Sequence, residues 1–157
     1  MKKIFVSGSS NITSLPNRIK TILDKLMKEG NVFLIGDCVG VDSEVQKYLS
    51  EKMYNNVVIY TSGSEPRNFY GNISWKIVHL DANNNGTTDE AERDYYALKD
   101  KAMTEDCDVA LAIWDGQSRA TLSNISRTES MGKPTAVYKV IADYINGVKT
   151  YDITRIK

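Results

Sequence analysis

The sequence predicts an α/β fold of three layers, a Rossmann-like and mainly parallel sheet with helices on both faces. Three observations carry that prediction. Short runs rich in β-branched and aromatic residues alternate with stretches whose apolar residues recur at helical spacing. Turns bearing glycine follow several of these runs, and Val109-Ala110-Leu111-Ala112-Ile113 is a continuous apolar run of the kind a strand buried on both sides needs. A length of 157 residues is that of one domain, and none of the sequence reads as a linker, a repeat or a low-complexity tract.

The elements follow in order. Lys2 to Ser7 reads as a strand that ends in the small turn Ser7-Gly8-Ser9-Ser10. The next helix carries Leu15, Ile19, Ile22, Leu23, Leu26 and Met27 on its apolar side, with Ser14 suited to cap it, Pro16 to its first turn and Gly30 to its end. Asn31 to Ile35 is a second strand, and Gly36-Asp37-Cys38-Val39-Gly40 turns into a helix with Val41, Val45, Tyr48, Leu49 and Met53 on one face. Val57 to Tyr60 is a third strand. Thr61 to Ser74 is polar and broken by Gly63, Pro66 and Gly71, which suits a functional loop or lid. Trp75 to Leu80 reads as a short strand, and residues 81–88 as a polar, mobile turn. Asp89 to Glu105 is a helix with Ala91, Tyr95, Leu98 and Ala102 on one face, which leaves Arg93, Lys99 and Asp100 to a charged outer face. After Val109 to Ile113, Asp115-Gly116-Gln117-Ser118 opens a helix that runs to about Met131 and stops at Gly132. Pro134 to Val140 is a further strand, and Lys149 to Ile156 an edge strand.

In such sheets ligands bind beyond the carboxyl ends of the strands, near the point where strand order reverses. Four segments fall on that rim: Ser7 to Asn11, Gly36 to Asp42, Ser62 to Asn68 and Trp114 to Thr121. Glycine lets backbone approach a phosphate closely, and the free N–H groups at a helix start favour an anion. The candidate ligand-binding residues are therefore Ser7, Gly8, Ser9, Gly36, Asp37, Gly40, Val41, Asp42, Arg67, Asn68, Asp115, Gly116, Ser118 and Thr121. Arg67 would supply a two-pronged phosphate contact, with Phe69, Tyr70 and Trp75 available to stack on a base. Asp42 and Glu44, in the first turn of their helix, suit either the helix dipole or ribose binding and acid–base work, and Asp115 suits either a cap or a ligand hydroxyl. These three carboxylates are the candidate catalytic groups. The first turn lacks Gly-x-Gly-x-x-Gly and no segment matches a Walker loop, which argues against ordinary NAD binding and a P-loop ATPase.

Composition narrows the partners. The 20 basic and 20 acidic side chains cancel, so nucleic acid is not expected as a partner. No apolar run approaches a membrane span, and no signal peptide is read at Met1, so the expected location is the cytoplasm. The two cysteines, Cys38 and Cys107, form no Cys-x-x-Cys pair, and the one histidine, His79, lies in an apolar run as a strand residue; neither a metal nor a resident cofactor is expected.

Four stretches together resemble one family: Ile4-Phe5-Val6-Ser7-Gly8-Ser9, Leu34-Ile35-Gly36-Asp37-Cys38-Val39-Gly40-Val41-Asp42, Lys99-Asp100-Lys101-Ala102-Met103 and Ile113-Trp114-Asp115-Gly116-Gln117-Ser118. Their order and spacing are similar to the SLOG superfamily of Rossmann-like domains, which includes the DNA-processing protein DprA and the LOG phosphoribohydrolases, and most of all to its small stand-alone YspA/YpsA-type members. Asp37 stands where the first glycine motif usually has a second glycine. In the second motif Ala120 replaces a glycine, and Asn124 stands near the position of the LOG catalytic glutamate. The resemblance implies a nucleotide-type small molecule, such as an ADP-ribose-like ligand, bound for sensing or regulation, and it implies homo-oligomers. The alternative is hydrolysis or transfer at an N-glycosidic bond by Asp42, Glu44 or Asp115. Single-stranded DNA binding, by analogy with DprA, ranks last on the neutral charge.

Overall fold

The computed structural model describes residues 1–81 and 88–157. Strands β1 (Lys3–Gly8), β2 (Val32–Ile35), β3 (Val57–Thr61), β4 (Lys76–His79), β5 (Val109–Trp114), β6 (Thr135–Ile145) and β7 (Val148–Arg155) form a seven-stranded sheet in the order β4-β3-β2-β1-β5-β6-β7. Neighbours pair in parallel up to β6, and β7 returns antiparallel. From β1 the chain winds outward through β2, β3 and β4, then comes back to β5 on the other side of β1. The reversal of strand order therefore lies between β1 and β5.

Alternation along the strands sends successive side chains to opposite faces. Ile4, Val6, Phe33, Ile35, Leu111 and Ile113 face α1 (Asn17–Lys28) and α2 (Val41–Glu51), where Ile19, Leu23, Val45 and Leu49 meet them. Phe5, Leu34, Tyr60 and Ala110 face α3 (Asp89–Asp106) through Met103, and Ala112 and Val137 face α4 (Arg119–Ser130) through Ile125. This is the three-layer α/β arrangement that the sequence predicts.

Local differences have physical causes. Pro16, not Ser14, occupies the cap of α1 without a side-chain bond, and Ser14 Oγ instead lies 2.6 Å from the hydroxyl of Tyr151. Met53 leaves the buried face of α2 because the chain turns there at φ 54°, and its side chain is exposed. The strand after Pro134 continues past Val140 to Ile145, because Asn146 (φ 53°) and Gly147 (φ 79°) make a tight two-residue hairpin into β7. On α3 the buried residues are Lys99, Met103 and Thr104, while Leu98 is exposed, so the packed face is not the one drawn through Ala91, Tyr95, Leu98 and Ala102. The turn read over residues 81–88 lies, for residues 82–87, outside the described residues. Among the described residues no helix is long and apolar enough to cross a membrane.

Candidate functional site

A cleft of about 740 Å³ opens beyond the carboxyl ends of the strands, between the reversal point and the facing sides of α3 and α4. All four rim segments reach it: Ser7, Gly8 and Ser10 at the end of β1 and just beyond it, Cys38 and Asp42 after β2, Arg67 after β3, and Ser118 and Thr121 at the start of α4. Two glycines allow the turns to close on one another. A Cβ on Gly8 would overlap the Val41 side chain, and Gly40, at φ 83°, brings its Cα against the backbone of Ser10. The Val41 N–H completes that contact by donating to the Ser9 carbonyl at 3.2 Å. At the α4 end, Ser118 Oγ accepts from the Thr121 N–H at 3.3 Å and caps the helix.

Asp42 lies on the floor. Its residue is 8% exposed, and Oδ2 accepts the Cys38 N–H at 3.1 Å. Gly36 makes room for it, since a Cβ there would stand 2.7 Å from Oδ2. Burial pushes the Asp42 carboxyl up to about 7, with Lys99 pulling it down and Asp100 and Asp37 pushing it further up. Lys99, 5% exposed, places Nζ 2.9 Å from Asp100 Oδ1 and 3.3 Å from the Tyr96 carbonyl. Burial would lower the Lys99 pKa, but Asp100 and Asp42 hold it above its ordinary value, so the ammonium stays charged. Asp100 also accepts from Asn124 Nδ2 at 3.4 Å, and Asn124 Oδ1 accepts from Arg127 at 2.8 Å. Burial and Asp42 raise the Cys38 thiol, which keeps it protonated at neutral pH.

The remaining candidates serve the frame. Asp37, 1% exposed, accepts from Arg67 Nη2 at 2.9 Å, Arg67 Nε at 3.2 Å, the Arg67 N–H at 2.9 Å and Thr61 Oγ1 at 3.0 Å. Burial alone would raise its pKa, yet the Arg67 bonds and charge hold it below the usual carboxylate range. Arg67, read as a phosphate fork, thus has its fork turned on Asp37, and its guanidinium carbon stacks 4.1 Å from the centre of the Tyr96 ring. Asn68 donates to the Asp37 carbonyl at 2.9 Å, and buried Gln46 bonds Gly36, Asn68 and Tyr70. The loop after β3 is therefore strapped down at several points. Trp75 is buried, donating to the Tyr54 carbonyl, and Phe69 packs on its edge rather than into the cleft.

Glu44 is half-buried, pairs with Lys47 at 3.1 Å and is not among the residues that line the cleft. Asp115 Oδ1 accepts from Ser9 Oγ at 3.0 Å and from the N–H groups of Gln117 and Ser118 at 2.8 Å each, which folds the turn around Gly116 (φ 84°). Burial would raise the Asp115 pKa, but the Ser118 and Gln117 N–H bonds lower it below the usual range. Asp115 faces a separate hollow of about 170 Å³ at the root of the β6–β7 hairpin. Of the three candidate catalytic carboxylates, Asp42 is the one that lines the large cleft. The sequence reading omitted Lys99 and Asp100 from the site. Spacing could have found Lys99, because Lys99, Met103 and Cys107 recur every four residues, and Met103 and Cys107 are buried; Asp100 follows it in sequence. Among the described residues no three His, Cys, Asp or Glu side chains gather as a metal site would require.

The architecture is that of a Rossmann-like α/β protein with its cleft at the topological switch point. Among solved structures, the chain resembles DNA processing protein A of Helicobacter pylori, a protein described by its single-stranded DNA binding mode, with a TM-score of 0.63 and 17% identity over 86% of this chain. The chain spans 64% of the length of that protein. Comparison with family models finds no match, and neither does comparison with curated proteins. The fold is therefore shared with DNA processing protein A, while no relative supports the narrower YspA-type assignment. The likeness overturns the expectation that nucleic acid is not a partner, because a protein of this fold binds single-stranded DNA. The physical reason is that a net charge of zero sums over the whole surface and says nothing of one site; the cleft is lined by Arg67, Arg93, Lys99, Lys101, Arg119 and Arg127 beside Asp42, Asp89, Glu92, Asp94 and Asp100.

Proposed function

We propose that this protein binds a phosphate-bearing nucleotide unit in the cleft between α3, α4 and the reversal point of the sheet. The observation that carries the reading is the convergence there of the Ser7-Gly8 turn, the start of α4 at Ser118–Thr121 and Arg93, Arg119 and Arg127 around a volume of about 740 Å³. That volume lies within the usual range for small-molecule sites. The SLOG-like order of the glycine motifs supports the same reading. A free nucleotide in a sensing or regulatory role is the first form of it.

The second form, a nucleotide within a single strand, is favoured by the arginines and by the strand-binding neighbour of the same fold. Cleavage at an N-glycosidic bond would depend on Asp42 and would release free base. The experiment is a thermal-shift screen with AMP, ADP-ribose and dTMP beside fluorescence anisotropy of labelled oligo(dT) at two salt concentrations. Stabilisation by a mononucleotide, with the oligonucleotide no tighter, selects the free nucleotide. Tighter oligonucleotide binding that weakens steeply with salt selects the strand. No shift and no anisotropy change would sink the reading.

A further inference from the structure

Resting on that nucleotide reading, the charges around Asp42 carry a further step. Every charged or titratable group that faces it has an assigned partner. From its own loop Asp37 is saturated by Arg67, which reaches in from the segment after β3, and the Cys38 thiol is neutral. From α3, Lys99 gives its one short ionic contact to Asp100, and no cation lies within 4 Å of Asp42 among the described residues. Three carboxylates, Asp37, Asp42 and Asp100, thus share two cations, Arg67 and Lys99. Asp42 is the carboxylate left over. It is more than nine-tenths buried, its Oδ1 accepts no hydrogen bond from the described residues, and it lines the cleft.

An ionised Asp42 would repel a phosphate arriving on the neighbouring glycine turns, whereas a carboxylic acid can donate its O–H to a phosphoryl oxygen. We propose that Asp42 sets the ligand class of this cleft by meeting phosphoryl oxygens as a neutral acid, so that each anion bound brings one proton from solvent onto Asp42. The bond formed is the O–H of Asp42, and the proton leaves the buffer. Burial prepares the step, since a carboxyl already pushed up to about 7 needs little further help to stay protonated near neutral pH. A sugar hydroxyl donating to Asp42 would need the opposite state and take up no proton.

The test is calorimetric titration of the whole chain with AMP, and in parallel with inorganic phosphate, at pH 8 in buffers of different protonation enthalpy. The expected result is uptake approaching one proton per AMP, with affinity falling about tenfold per pH unit between pH 8 and 9. The ³¹P shift of bound AMP should report a dianionic phosphate, which puts the proton on the protein. Asp42→Asn should abolish both the uptake and the pH slope. Should that variant fail to fold, the wild-type titration and the ³¹P shift still decide the matter. Binding of AMP without proton uptake, or with the proton on phosphate, overturns the proposal and leaves the nucleotide reading standing. Absence of binding by both AMP and phosphate overturns the two together.

Discussion

Asp42→Asn should stabilise the fold, and by an amount that grows with pH. In the unfolded chain this carboxyl titrates at its ordinary value of 3.8, and in the fold burial lifts it to about 7. Below 3.8 both states hold the proton and the wild type incurs no cost. Between 3.8 and about 7 the unfolded state loses its proton first, so stability falls as pH rises, and above about 7 the loss is constant. At about 1.4 kcal/mol per pH unit, the interval amounts to about 4 kcal/mol. Asparagine keeps an oxygen for the Cys38 N–H and removes the charge, so the variant should recover about 2–4 kcal/mol at pH 8 and less than about 1 kcal/mol at pH 4. Urea unfolding of both proteins from pH 4 to 8, followed by circular dichroism, reads the difference directly. A variant that is less stable at pH 8, or a gain that does not change with pH, would refute the reasoning. It would mean that Lys99 already satisfies an ionised Asp42.

Three other outcomes follow from the frame. Arg67→Met leaves the Asp37 carboxylate buried without its cation and should cost about 2–3 kcal/mol in denaturant unfolding at pH 7, less than a fully buried pair because the Arg67 side chain is 36% exposed. Since the folded pKa of Asp37 is depressed, that difference should be present above its ordinary 3.8 and shrink as pH falls through the folded value. Gly40→Ala meets both a φ of 83° and the Ser10 backbone, so it should lose at least about 1–3 kcal/mol and weaken AMP binding in the same thermal-shift assay. Gly147→Ala strains only the hairpin turn, where a Cβ has open space but φ is 79°; it should lower Tm by about 2–4 °C and leave AMP binding unchanged.

The layers of the fold are written locally, and so they were readable. Apolar residues at strand and helix spacing in Ile4–Val6, Phe33–Ile35 and Val109–Ile113 are enough to fix which segments bury which faces. The hairpin was readable too, because Asn146-Gly147 between two β-rich runs is a strong turn signal, yet the exposed residues after Val140 carry no alternation of burial to draw attention to it. The site was readable only in outline. Its turns follow from strand ends, but the partner of Asp37 lies 30 residues away in the loop after β3, where no local pattern points to it.

Lys99 shows why charge is hard to place from sequence. A lysine on an otherwise polar helix reads as solvated, and α3 has a weak apolar face that lets the eye choose the wrong stripe. What buries Lys99 is the sheet: Met103 and Cys107 on the same side pack against Phe5, Leu34 and Tyr60, and that contact rolls the helix until the ammonium lies under the cleft beside Asp100. Burying this group with two carboxylates leaves one acid short of a cation, an arrangement that costs stability. A well-packed apolar residue at position 42 would avoid the cost. That this electrostatic cluster sits at the floor of the cleft, rather than being relieved by such a residue, is what the proposed proton-coupled binding at Asp42 would account for.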